Sequence, residues 1–110
     1  MQATKELVGK KLTDQEFTFE LVNASNQVIQ TAKNDALGQI RFDKLAYTKT
    51  GSYDYTIREK AGVDPQITYD TKSYKIHVEV VDQKGKFVAS ISYKQKPQFK
   101  NIYLEEKKSS

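Results

Sequence analysis

The stretch Tyr74-Lys75-Ile76-His77-Val78-Glu79-Val80-Val81 alternates apolar and polar residues over most of its length. That is the period at which a strand sends successive side chains to opposite faces. The same alternation recurs at Phe17, Phe19 and Leu21 against Thr18, Glu20 and Val22, and at Tyr53, Tyr55 and Ile57 against Asp54, Thr56 and Arg58. It returns at Phe87, Ala89, Ile91 and Tyr93 against Val88, Ser90, Ser92 and Lys94. Each run offers one apolar and one mostly polar face, as when a sheet packs on one side only. Turn-forming clusters separate the runs: Asn23-Ala24-Ser25-Asn26, Asn34-Asp35-Ala36-Leu37-Gly38, Lys49-Thr50-Gly51 and Asp82-Gln83-Lys84-Gly85. The pattern predicts strands near 3–8, 16–22, 27–32, 39–43, 52–59, 66–70, 73–82, 86–94 and 97–103. No helical period is sustained. Short strands at this spacing predict an all-β fold, an immunoglobulin-like β-sandwich.

Composition agrees. Val, Ile, Thr, Tyr and Phe make up about one-third of the 110 residues, and these are the types that suit a pleated, half-buried surface. The length fits one domain with one core, expected over 1–104, with 105–110 read as a flexible tail or linker. Only 5 Gly and 2 Pro argue against a low-complexity segment. No apolar run approaches the roughly 20 residues of a membrane span. Met1-Gln2-Ala3-Thr4-Lys5 lacks the apolar core of a signal peptide, as the mature part of an exported protein also would.

The chain has no cysteine and a single histidine. Disulfides, thiolate nucleophiles and Cys- or His-rich metal sites are thereby excluded, so neither metal nor cofactor is expected. No Gly-rich phosphate loop or EF-hand spacing appears. His77 shares a face with Lys75 and Glu79 and reads as solvated rather than as a general base, which leaves little for a multi-turnover enzyme to work with. The net charge of +4 invites a nucleic-acid or membrane-surface reading. The lysines, however, are scattered and mixed with acids, and most tyrosines fall on apolar strand faces, so neither partner is expected.

Three positions break the alternation in the same sense. Lys5 shares a face with Ala3 and Leu7. Glu59 ends the apolar row of Tyr53, Tyr55 and Ile57. Asn101 sits between Phe99 and Tyr103. Unpaired buried charges are costly, and such groups pair or neutralise instead. Singly, each has an ordinary explanation: a frayed or snorkelling Lys5, a Glu59 leaving the sheet into Lys60-Ala61-Gly62, an Asn101 capping a turn or a strand edge. Together they are the components of an intramolecular amide condensation, in which a lysine amine displaces ammonia from an asparagine side chain. Desolvation lowers a lysine's pKa towards the nucleophilic neutral amine. An apolar setting raises an acid's pKa, so that it can hydrogen-bond the amide oxygen and relay protons. Proximity supplies effective molarities of roughly 10⁵ M or more.

The sequence also resembles a known family. Thr4-Lys5-Glu6-Leu7-Val8-Gly9, Glu16-Phe17-Thr18-Phe19-Glu20-Leu21, and the stretch from Ala32 through Phe42 are similar to the opening and centre of streptococcal pilin isopeptide-linker domains. So are Tyr47 through Glu59, Ile67-Thr68-Tyr69-Asp70-Thr71, and the closing Phe99-Lys100-Asn101-Ile102-Tyr103. The resemblance implies a CnaB-type sandwich with adjacent first and last strands, as in Gram-positive pilins and cell-wall-anchored adhesins. It further implies a cross-link between Lys5 and Asn101 promoted by Glu59. Carried further, it implies a monomeric stalk domain of an exported cell-surface protein, with neighbouring domains of the same pilus or adhesin as partners. Neither a Leu-Pro-x-Thr-Gly sorting motif nor a pilin-polymerisation motif is present, so a piece of a longer protein is expected rather than a whole shaft pilin. The competing expectation is an adhesive module for a host matrix protein or an acidic polysaccharide. A scaffold built for protein ligation is a third.

Overall fold

The computed structural model describes residues 1–105, and the tail expectation falls, beyond Glu105, outside them. Among the described residues nine strands form, all antiparallel to their neighbours except one pair: β1 (Gln2–Val8), β2 (Thr18–Asn23), β3 (Val28–Lys33), β4 (Gln39–Arg41), β5 (Gly51–Lys60), β6 (Ile67–Thr68), β7 (Ser73–Gln83), β8 (Lys86–Tyr93) and β9 (Gln98–Tyr103). They make a four-stranded sheet in the order β4-β1-β9-β6 and a five-stranded sheet in the order β3-β2-β5-β7-β8. The exception is β1 with β9, adjacent and parallel, so the strands that open and close the domain run side by side in one direction. The fold is the expected all-β sandwich.

The period-two rows become the core. Phe19 and Leu21 of β2, Ile57 of β5, and Ile76, Val78 and Val80 of β7 face Ala3 of β1, Ile40 of β4 and Phe99 of β9. Phe99 joins the layers: its ring lies 5.2 Å from that of Phe19 and 5.1 Å from that of Tyr74, the latter edge-on. Edge-to-face and tilted pairs contribute about 1 kcal/mol each beyond the area they bury.

Two strands depart from the sequence pattern. β6 has two residues instead of five, because the backbone N–H of Asp70 leaves the sheet ladder and is spent on the side chains of Asn101 and Glu59. β8 was expected to bury Phe87, Ala89, Ile91 and Tyr93, yet it is exposed along its whole length, with Phe87 48% and Ile91 43% accessible. The reason is its place at the edge. β8 pairs only with β7, at the margin of the five-stranded sheet, and its Phe87, Ala89 and Ile91 line a pocket with Met1, Leu45 and Tyr47.

Candidate functional site

Lys5 and Asn101 meet because β1 and β9 are parallel neighbours. Lys5 stands opposite Phe99 and Leu7 opposite Asn101, so lysine and asparagine occupy the same inward face one step apart on the diagonal. The backbone of Lys5 is pinned from one side by the turn before β4, with its N–H donating to the Gly38 carbonyl at 2.6 Å. Gly38 adopts φ +84°, and a Cβ there would run into the Lys5 carbonyl oxygen, so only glycine lets the turn press this close. Asp35 shapes the turn by accepting from the N–H groups of Leu37 at 2.9 Å and Gln39 at 2.8 Å. Glu59 arrives from the opposite sheet, next to last on β5 and paired in register with Phe19.

The three side chains converge on one atom. Glu59 Oε2 accepts from Lys5 Nζ at 3.0 Å and from Asn101 Nδ2 at 2.7 Å. The amine and amide nitrogens can therefore be no farther apart than those two hydrogen bonds laid end to end. The side chains of Lys5 and Glu59 have no solvent exposure, and Asn101 is likewise fully buried. Phe17 roofs the amine, its ring centre 4.7 Å from Nζ, and the Phe19 ring lies 5.7 Å away.

Burial pushes the Lys5 amine down, against the upward pull of the neighbouring carboxylate. Burial likewise pushes the Glu59 carboxyl up, against the lysine and the donors around it. Both displacements favour passing one proton from amine to carboxylate. Since the two groups titrate as a pair, that transfer belongs to the pair rather than to either residue.

The amide orientation is fixed by a donor that the alternation could not reveal. Asp70 N–H lies 2.7 Å from one terminal atom of Asn101, and a backbone N–H requires that atom to be the oxygen. The amide nitrogen then faces Glu59. The expectation that the acid hydrogen-bonds the amide oxygen is corrected accordingly: Glu59 holds the two nitrogens, and Asp70 holds the oxygen. A second overlooked residue is Asn34, buried in the turn before β4. It accepts from Phe17 N–H at 2.8 Å and donates to the Thr13 carbonyl at 3.0 Å, setting the ring that roofs the amine. An asparagine inside a turn cluster has no signal separating this role from ordinary turn formation.

His77 faces solvent on the outer side of the five-stranded sheet, as its parity indicated. Its Nδ1 is 2.7 Å from Asp54 and its Nε2 is 2.6 Å from Glu79. Hydrogen bonds that the protonated ring donates to these two carboxylates raise its pKa. We expect an NMR titration of the ring to show a midpoint above the ordinary value near 6.5, and Asp54→Asn to lower it. Because the folded value is the higher one, the stabilisation is complete below the unfolded pKa and is lost as pH rises through the folded one. A midpoint at the ordinary value would contradict this. A cleft of about 740 Å³ lies on the same outer face and carries Arg58, Lys75 and Lys94 beside Asp54. Arg58 is engaged by Glu20 at 3.0 Å, so the cleft mixes charges and favours no acidic ligand.

The model of the FctA family, a Spy0128-like isopeptide containing domain, matches residues 1–104. No curated protein matches the chain. Among solved structures, the major pilin from Streptococcus pyogenes superposes with a TM-score of 0.66 at 20% identity, over 94% of this chain and 50% of the pilin. The major pilin protein (T-13) from Streptococcus pyogenes gives a TM-score of 0.61 at 20% identity, over 94% of this chain and 51% of the pilin. The chain thus spans about half the length of the pilins whose fold it shares.

Proposed function

This chain belongs to the FctA family of Spy0128-like isopeptide-containing domains, and from that premise we propose that it is a stalk domain of a pilus, closed on itself by an amide bond between Lys5 and Asn101 that Glu59 promotes. The observation that carries the reading is the single carboxylate oxygen shared, in a dry interior, by the amine and the amide nitrogen. Each partner without the others would be a costly buried polar group. As a set they are one reaction apart.

The chemistry balances within the site. Glu59 takes a proton from the Lys5 ammonium, leaving a neutral amine and a neutral acid. The Nζ lone pair attacks Asn101 Cγ and forms a tetrahedral intermediate with its negative charge on Oδ1. Glu59 delivers its proton to Nδ2 and recovers one from Nζ. Collapse re-forms the carbonyl and breaks the Cγ–Nδ2 bond, releasing ammonia. Glu59 ends as a neutral acid beside the new amide, the form that burial favours. No external substrate enters and the site works once, so the domain modifies itself instead of turning over. We infer a role at the surface of a Gram-positive cell, with neighbouring pilus domains as partners, a reading that the family supports.

Intact-mass spectrometry tests the bond. The folded protein is expected to be lighter than its sequence by one ammonia, with Lys5→Ala and Glu59→Ala each restoring the full mass. An unshifted wild-type mass would overturn the proposal.

A further inference from the structure

We propose that Asp70 is a fourth member of the reacting site. Its backbone N–H would stabilise the oxyanion on Asn101 Oδ1, and its carboxylate would hold that N–H on target. This rests on the cross-linking chemistry proposed above and assigns a part of it to a residue outside the lysine, acid and asparagine.

The N–H stands 2.7 Å from Asn101 Oδ1 and 3.2 Å from Glu59 Oε1. In the ground state the donor is therefore divided between the amide oxygen and the carboxylate. Once Glu59 has accepted the lysine proton, its pull on that N–H weakens. As Cγ becomes tetrahedral, charge builds on Oδ1 instead. One donor thus strengthens its bond to the reacting oxygen during the step that needs it, which is how differential stabilisation of a transition state arises. No other hydrogen bond reaches Oδ1 among the described residues.

The side chain of Asp70 fixes this geometry from both sides. Oδ2 accepts from Lys100 N–H at 2.8 Å, and Lys100 immediately precedes Asn101 on β9. Oδ1 accepts from Lys72 N–H at 2.8 Å, closing the bend that leads into β7. The carboxylate clamps the 69–72 segment onto the strand that carries the electrophile. Donor and acceptor are thereby held to each other through two short backbone links. This explains why the chain leaves the β6 ladder after Thr68, where continued pairing would have consumed the N–H.

The test separates the N–H from the side chain. Replacing Asp70 by its α-hydroxy analogue exchanges the N–H for an ester oxygen and keeps the carboxylate. In freshly synthesised full-length chain, ammonia loss is followed by intact mass on folded, protease-resistant molecules. The ester variant is expected to cross-link 10²- to 10³-fold more slowly than wild type. Asp70→Ala, which keeps the N–H but releases the clamp, is expected to be slower on the order of tenfold. A purely structural role would reduce the folded fraction and leave the rate within folded molecules unchanged, and that result overturns the inference. If the ester chain does not fold, Asp70→Ala decides on the same readout, a slowed rate supporting the inference and an equal rate overturning it. A wild-type chain that never loses ammonia fails the cross-link reading itself and takes this inference with it. A wild type that links normally beside an ester variant of equal rate fails the inference alone.

Discussion

Asn101→Ala is expected to lower the melting temperature by about 20 °C or more, with a matching loss of protease resistance. The substitution removes the electrophile of the proposed cross-link, which would leave the chain open between residues 5 and 101. By analogy with disulfides, closing a loop of roughly 100 residues stabilises by about 4.7 kcal/mol through the unfolded chain. In a domain of this size each kcal/mol moves the midpoint by about 4–8 °C. Removal of the amide also takes from Asp70 N–H the shorter of its two hydrogen bonds and from the Glu59 carboxylate one of its donors, adding the cost of incompletely paired buried groups. Lys5 and Glu59 remain paired to each other, so the fold itself is expected to survive. Scanning calorimetry and a timed protease digest of both chains provide the check. Equal melting temperatures would contradict the prediction and point to an interior held by packing alone.

The second large effect is mechanical. With tethers at the two ends of the domain, wild type is expected not to lengthen between Lys5 and Asn101 at any force that leaves covalent bonds intact. Asn101→Ala is expected to release roughly 300 Å of chain in a single unfolding event, from the extended length per residue. The topology explains why the difference is all or none. β1 and β9 are parallel neighbours, so pulling on the start of one and the end of the other shears their shared ladder. In the open variant those slanted hydrogen bonds take the load. With the proposed cross-link in place, the load would pass from β1 to β9 through one side-chain amide, and the strands between would never see it. A wild-type molecule that unravels to the variant's full length would refute this account.

Much of this architecture was written in the alternation. The nine strands follow from period two, and Lys5, Glu59 and Asn101 stood out because each put a polar group in an apolar row. What escaped did so for physical reasons. Asp70 contributes a backbone N–H, which every residue except proline possesses, so no side-chain pattern marks it. Asn34 lies in a run of turn formers, where an asparagine supporting an aromatic ring looks like one closing a bend. β8 misled because parity says which way a side chain points. It does not say how completely a second layer covers that point. Phe87 and Ile91 point towards the core side but line a pocket with Met1, Leu45 and Tyr47 and stay half-exposed at the sheet's edge.

The pairing of Lys5 with Phe99, and of Leu7 with Asn101, would also give the proposed reaction a proofreading sense. A slip of one residue between the terminal strands would turn Asn101 outward and away from both amine and acid. Misregistered molecules would stay unreacted and free to reopen. Only those that had docked both layers correctly would fire, and firing expels a small volatile product that does not return. Assembly of the domain would then act as a ratchet, editing its own mistakes until the last click and admitting no appeal afterwards.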